Sequence, residues 1–223
     1  MNAQIPTSLL SSSGAKIAPG ILDCLSQTGR EFHQRGWVLG TSGNFSAVIS
    51  RDPLRLAITA SGADKGALSS SDILAVDEFG ISEGPNCASA EAALHLAIVN
   101  LRQAGAVLHT HSVWSTILSL EYAGDGGLAI EGYEMLKGLS GIRTHAHREW
   151  LPVIENSQDM NMLSRAAQDA LLANRETHGF LIAGHGLYTW GADLREAKRH
   201  VEVLEFLLEV TGRTARLSHR GHL

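Results

Sequence analysis

The stretch "SAEAALHLAIVNLRQAGAVLHTHSVW" (89–114) changes its period in the middle. From 89 to 105 alanine and leucine dominate, Ser89 offers an N-cap, and Gly105 stands where a helix commonly stops. From 106 to 111 a short apolar run passes into His-Thr-His, which reads as a buried strand and its end. A helix feeding directly into a strand, inside a chain of 223 residues with the same mixture throughout, indicates the α/β class, helices covering a central sheet.

The pattern repeats outward from there. Residues 17–35 carry helical spacing up to Gly36. "GTSGNFSAVIS" (40–50) and "RLAITASGADKG" (55–66) each combine a β-rich run with a glycine-containing turn, and "ILAVDEFG" (73–80) is a strand ending in a turn. Downstream, 112–120 is helical, "IEGYEMLKG" (130–138) follows a glycine-rich loop, 150–156 is strand-like and 157–179 is a long helix with its exit turn. "FLIAGHGLYTWG" (180–191) is a strand pair broken around His185. Asp193 and Glu196 form a D-x-x-E capping pattern that opens a last helix to about residue 211. No repeat or linker interrupts the chain, so one domain over 1–223 is expected, with 1–14 and 213–223 as flexible tails.

Composition narrows the function classes. Hydrophobic residues make up 44% and charged residues 18%, with a net charge of −5, and no basic patch stands out, so no nucleic-acid partner is expected. Cys24 and Cys87 lack CxxC spacing, which argues against a disulfide scaffold and for a reducing compartment. The N-terminal stretch lacks the basic region of a signal peptide, and no apolar run reaches the ~18 residues of a membrane span. A cytoplasmic protein with no membrane partner is the expectation.

The histidines carry the sharpest signal. Side chains at i and i+2 of a strand share a face, so His109 and His111 converge. Catalytic zinc takes three protein ligands and leaves a position open. His185, also at the end of an apolar strand and flanked by glycines that permit a tight turn, is the third candidate. Three imidazoles also suit iron, nickel or cobalt. A rival pair, His145 and His147, lies in polar surroundings without a leading apolar strand.

Two turns, "TSGN" (41–44) and "TASGADKG" (59–66), offer hydroxyls and free backbone N–H groups for an anion, which makes Ser42, Gly43, Asn44, Ser61 and Gly62 candidate phosphate ligands. Lys65 adds a point charge. Glu91 shares a helix face with His95 and serves either as an acid/base or as partner of the helix dipole. Glu134 stands three residues before Lys137, as an acid/base or as half of a surface ion pair. Trp114 and Tyr188 are candidates for an apolar pocket or for the core.

Taken in order, "SGN", "TASG", "SAEAALH", "HTHS" and "GHG" resemble the class II aldolase and adducin-related superfamily over about residues 20–210. Within it, "QAGAVLHTHS" (103–112), "EMLKG" (134–138) and "GHGLYTWG" (184–191) are similar to a branch of dehydratases acting on a ketose 1-phosphate. The resemblance implies a three-layer α/β/α sandwich with a central, mainly antiparallel sheet. It implies one divalent metal per subunit, usually zinc, on His109, His111 and His185. It also implies a homotetramer with active sites near subunit contacts. In the aldolases the glutamate matching Glu91 moves the proton; in the dehydratases the one matching Glu134 does, and some of those carry cysteine at the Glu91 position. This chain keeps both glutamates. Cleavage of a carbon–carbon bond, as in the aldolases, is the alternative reaction; the adducin-type scaffolds lack the metal histidines.

Overall fold

The computed structural model describes residues 17–82 and 86–220. Five helices, α1 (Pro19–Gln34), α2 (Ala92–Arg102), α3 (Val113–Glu121), α4 (Met160–Ala173) and α5 (Leu194–Arg220), alternate with eight strands among these residues. The strands are β1 (Asn44–Arg51), β2 (Leu54–Thr59), β3 (Ile73–Val76), β4 (Ala106–Thr110), β5 (Gly127–Glu131), β6 (Arg148–Ile154), β7 (Gly179–Ile182) and β8 (Gly186–Gly191). They form one sheet in the order β3-β2-β1-β4-β8-β7-β6-β5. Only the β6–β7 pair is parallel; the other pairs are antiparallel.

Strand alternation divides the core between two faces. Ile58, Val107, Phe180, Ile182 and Trp190 pack with α2 and α4. Their neighbours Ala57 and Leu108 pack with α1 and the first half of α5. Leu181 and Leu187 pack with α3 and the middle of α5. The strands β2, β4, β7 and β8 thus carry apolar residues on both sides, which is why the sequence shows continuous apolar runs there, and the layers are α/β/α.

Three local expectations are corrected. The N-cap of α2 is Glu91, with Ser89 two residues further out, its hydroxyl accepting from the Glu91 N–H. The left-handed stop is Gln103 (φ 52°). Gly105 serves close packing instead: a Cβ there would lie 2.0 Å from the Ala192 carbonyl oxygen. Finally, α5 runs through Arg220, past the expected end near 211. Its start follows the capping pattern, with the Asp193 carboxylate accepting from Glu196 N and Glu196 accepting from Ala192 N. The proposed tail 1–14 lies outside the described residues. No helix among the described residues is long and apolar enough to cross a membrane.

Candidate metal centre and active site

β4 sits in the middle of the sheet and delivers His109 onto the face covered by α2. Register places Asn44 opposite His109 on one side and Tyr188 on the other. The Tyr188 ring lies flat on the His109 imidazole, 3.9 Å between centroids, and Phe180 continues the stack. His111 lies just beyond the strand, its N–H bonded to the Trp37 carbonyl. His185 occupies the β7–β8 turn. There Gly184 adopts φ +63°, and a Cβ at Gly186 would lie 2.0 Å from the Thr110 carbonyl oxygen, so both glycines flanking His185 are required.

The three Nε2 atoms face one another, 2.8 Å apart between His109 and His111 and 3.3 Å between His109 and His185. Nitrogens about 2.0–2.1 Å from one tetrahedral zinc lie roughly 3.3 Å apart. His109 Nδ1 donates to the Leu187 carbonyl, which leaves its Nε2 lone pair for the centre. Burial lowers all three pKa values: His109 well below the ordinary value and His111 to about 4, while at His185 the Glu91 charge opposes the effect. Three neutral imidazoles aimed at one point fit a divalent cation. Among the described residues this trio is the group of ligand atoms lying within 4.8 Å of one another.

Glu91, at the start of α2, turns its carboxylate to the same point, 3.4 Å from His185 Nε2 and 3.8 Å from His109 Nε2. A buried chain holds it. Asn44 Nδ2 donates to Glu91, His95 Nε2 donates to Asn44 Oδ1, and Ser46 Oγ donates to His95 Nδ1 at 2.7 Å. Burial lowers His95 to about 3, so it stays neutral. This fixes the Asn44 amide with its NH2 toward the site. The Tyr188 hydroxyl has no hydrogen bond of good geometry; burial first, then the facing Glu91 charge, raises it well above 10.

The two anion turns converge here as well. Asn44 opens β1 and reaches the Ser89 hydroxyl at 3.3 Å, and the Ala60–Ala88 bridge lays the 59–63 turn along the segment entering α2. Gly43 and Gly62 both adopt positive φ, but the Ser42 and Ser61 N–H groups, expected to be free for an anion, are spent on the Leu39 and Cys87 carbonyls that close the turns. Lys65 is buried and spends two donors on the Thr41 and Ala63 carbonyls, tying the turns together; burial brings it down to about 8.

Glu134 is not brought to this point within one chain. It follows β5, four strands from β4, roughly 19 Å at about 4.8 Å per strand. It is exposed, bonded to Lys137 and 3.7 Å from His145 Nδ1. His147 pairs with Glu149, so the rival histidine pair does not converge. Trp114 packs in the α3–α5 core against Gly212, and Tyr188 is a fully buried core residue whose ring backs His109. Residues that sequence reasoning missed are Ser46, His95 as a partner of Asn44, and Ser89 as a side-chain ligand. Their signal was cross-strand register, which the sequence alone does not display.

The sequence profile of the class II aldolase and adducin N-terminal domain family matches residues 24–211. A methylthioribulose-1-phosphate dehydratase of Sorangium cellulosum is 46% identical over 188 residues, 83% of this chain and 88% of that protein. One of Marinobacter nauticus is 42% identical over 193 residues, 86% of this chain and 92% of that protein. Among solved structures, an L-fuculose-1-phosphate aldolase from Thermus thermophilus superposes with a TM-score of 0.71 at 23% identity, covering 90% of this chain and 97% of that one, a likeness of fold.

Proposed function

The chain belongs to the class II aldolase and adducin N-terminal domain family, and from that membership we propose its reaction. It is a lyase that removes water from 5-methylthioribulose 1-phosphate, giving 2,3-diketo-5-methylthiopentyl 1-phosphate, a step of methionine salvage. The observation that carries this is identity of 42–47% over most of the chain to relatives named for that activity. The cofactor is a divalent cation held by His109, His111 and His185, and we assign zinc, one per subunit. When bound, the cation stabilises the negative charge that gathers on the substrate's oxygens as a proton leaves.

Dehydration takes a proton from C3 and hydroxide from C4. We assign Glu134 as the group that takes the C3 proton and returns it to the departing hydroxyl. Because Glu134 is exposed and four strands from β4 in its own chain, we assign it to the site of a neighbouring copy, in a cytoplasmic homotetramer with sites near subunit contacts. Glu91, held by Asn44, is the acid/base candidate within the chain. Ser42, Gly43, Asn44, Ser61 and Gly62, with the Lys65 charge behind them, anchor the phosphate and turn its binding energy into alignment.

Zinc-loaded protein incubated with the substrate should yield the diketone by mass spectrometry, and the product should vanish with His109→Ala. Two smaller fragments would make the enzyme an aldolase instead. Glu134→Gln should keep its metal and lose about 10²–10⁴ of kcat; near-normal turnover would remove Glu134 from the role. If the neighbouring copy supplies it, mixed tetramers of Glu134→Gln and His109→Ala chains, each inactive alone, should regain activity.

A further inference from the structure

Glu205 lies on α5 among the core residues Leu204, Leu207 and Leu208 and is 3% exposed. Packing alone does not call for a carboxyl there, since burying one is costly unless its bonds are met. Its partner is a hydroxyl of the metal segment. Thr110 Oγ1 donates to Glu205 Oε1, while the nearby Ser112, the N-cap of α3, gives its hydroxyl proton to Ser115 Oγ; both hydroxyls lower the Glu205 pKa. Burial outweighs both and brings the carboxyl up to about 7.

Thr110 stands between His109 and His111, and its side chain points to the opposite face of the sheet, toward α5. The ladder of β4 ends at Thr110. His111 therefore lies outside the ladder that holds His109, tied by its N–H to the Trp37 carbonyl, and Thr110 and Ser112 flank it on both sides. We propose that Glu205 is a positioning residue for the metal centre. By gripping Thr110 from behind the sheet, it fixes the rotation of the segment that aims His109 and His111 at one point. This rests on the reading of the histidine trio as a metal site.

Zinc affinity of the apo protein, measured by competition with a chromophoric chelator, tests it alongside thermal unfolding of the same apo proteins. Glu205→Leu and Thr110→Val should weaken zinc binding about 10–100-fold, the range for partners behind the ligands. The double variant Glu205→Leu/Thr110→Val, which removes both partners of the buried hydrogen bond together, should unfold near the wild-type temperature. Glu205→Gln should bind within a few-fold of wild type, since the amide oxygen still accepts from Thr110. The double variant should bind no more weakly than Glu205→Leu alone. Wild-type affinity in Thr110→Val overturns the inference, and this variant decides should Glu205→Leu fail to fold. A wild-type chain that binds no zinc fails the metal reading itself, and the inference with it.

Discussion

Histidines cluster at both ends of the same sheet, and the two clusters are built on opposite rules. At the C-terminal end of β4, the Nε2 atoms of His109, His111 and His185 face each other. At the other end, where β7 begins and β8 stops, the ring nitrogens face oxygen or a donor. His178 Nδ1 lies 3.0 Å from Glu149 Oε2 and its Nε2 lies 2.8 Å from the Ser140 carbonyl. Both partners accept only, so His178 must carry both protons. His200 donates from Nδ1 to the Trp190 carbonyl and accepts Ser140 N–H at Nε2, which fixes it neutral. The first arrangement leaves lone pairs converging and asks for a cation. The second satisfies every nitrogen and asks for none. What separates a metal centre from a structural histidine cluster is where the nitrogens point, since each cluster has one buried histidine, His109 or His200, beside half-buried ones.

The comparison breaks most visibly under exchange of roles. His109→Ala should lose bound metal and roughly 10²–10³ or more of turnover, the cost of removing an electrostatic stabiliser, while the apo protein unfolds near the wild-type temperature. His178→Gln should do the reverse. Leaving the Glu149 carboxylate short of its cation should cost about 3 kcal/mol, or roughly 6–12 °C in Tm by calorimetry, with metal content unchanged. A variant at the second cluster that stays folded and loses metal would erase the distinction.

The pH dependence sharpens it. Burial alone would lower His178, but the Glu149 hydrogen bond and charge raise it above 6.5. Burial alone would raise Glu149, but the His178 bonds hold it below 4.5. The histidine contribution is complete below 6.5 and is lost as pH rises through the raised value. The carboxylate contribution is complete above 4.5 and is lost as pH falls through the lowered one. The Tm gap between wild type and His178→Gln should therefore be widest between 4.5 and 6.5 and shrink on either side. The smallest effect belongs to His147→Gln, whose partly exposed pair with Glu149 should be worth under about 1 kcal/mol.

The sequence displays one end of this comparison and hides the other. His109 and His111 announce themselves because an i, i+2 pair at the end of an apolar run is a local pattern, and the glycines beside His185 are local too. Helix positions were equally legible from spacing, apart from caps decided by tertiary contact, as at Gly105 against Ala192. Hidden were the facts of register: Asn44 opposite His109, Tyr188 stacked on it, His95 reaching Asn44 across the sheet, and Glu149 meeting His178. Glu205 reads as one more charge on an amphipathic helix until Thr110 is seen beneath it. At Glu134 the spacing to Lys137 showed the surface ion pair that is present; the catalytic assignment came by resemblance, and one chain does not bring Glu134 to the triad.

The most direct measurement is the metal content, by inductively coupled plasma mass spectrometry, of purified wild type, His109→Ala and His178→Gln after identical zinc loading and desalting. The expected result is about one zinc per chain in wild type and in His178→Gln, and almost none in His109→Ala. Equal zinc in His109→Ala, or a folded His178→Gln without zinc, would contradict the assignment of the two ends.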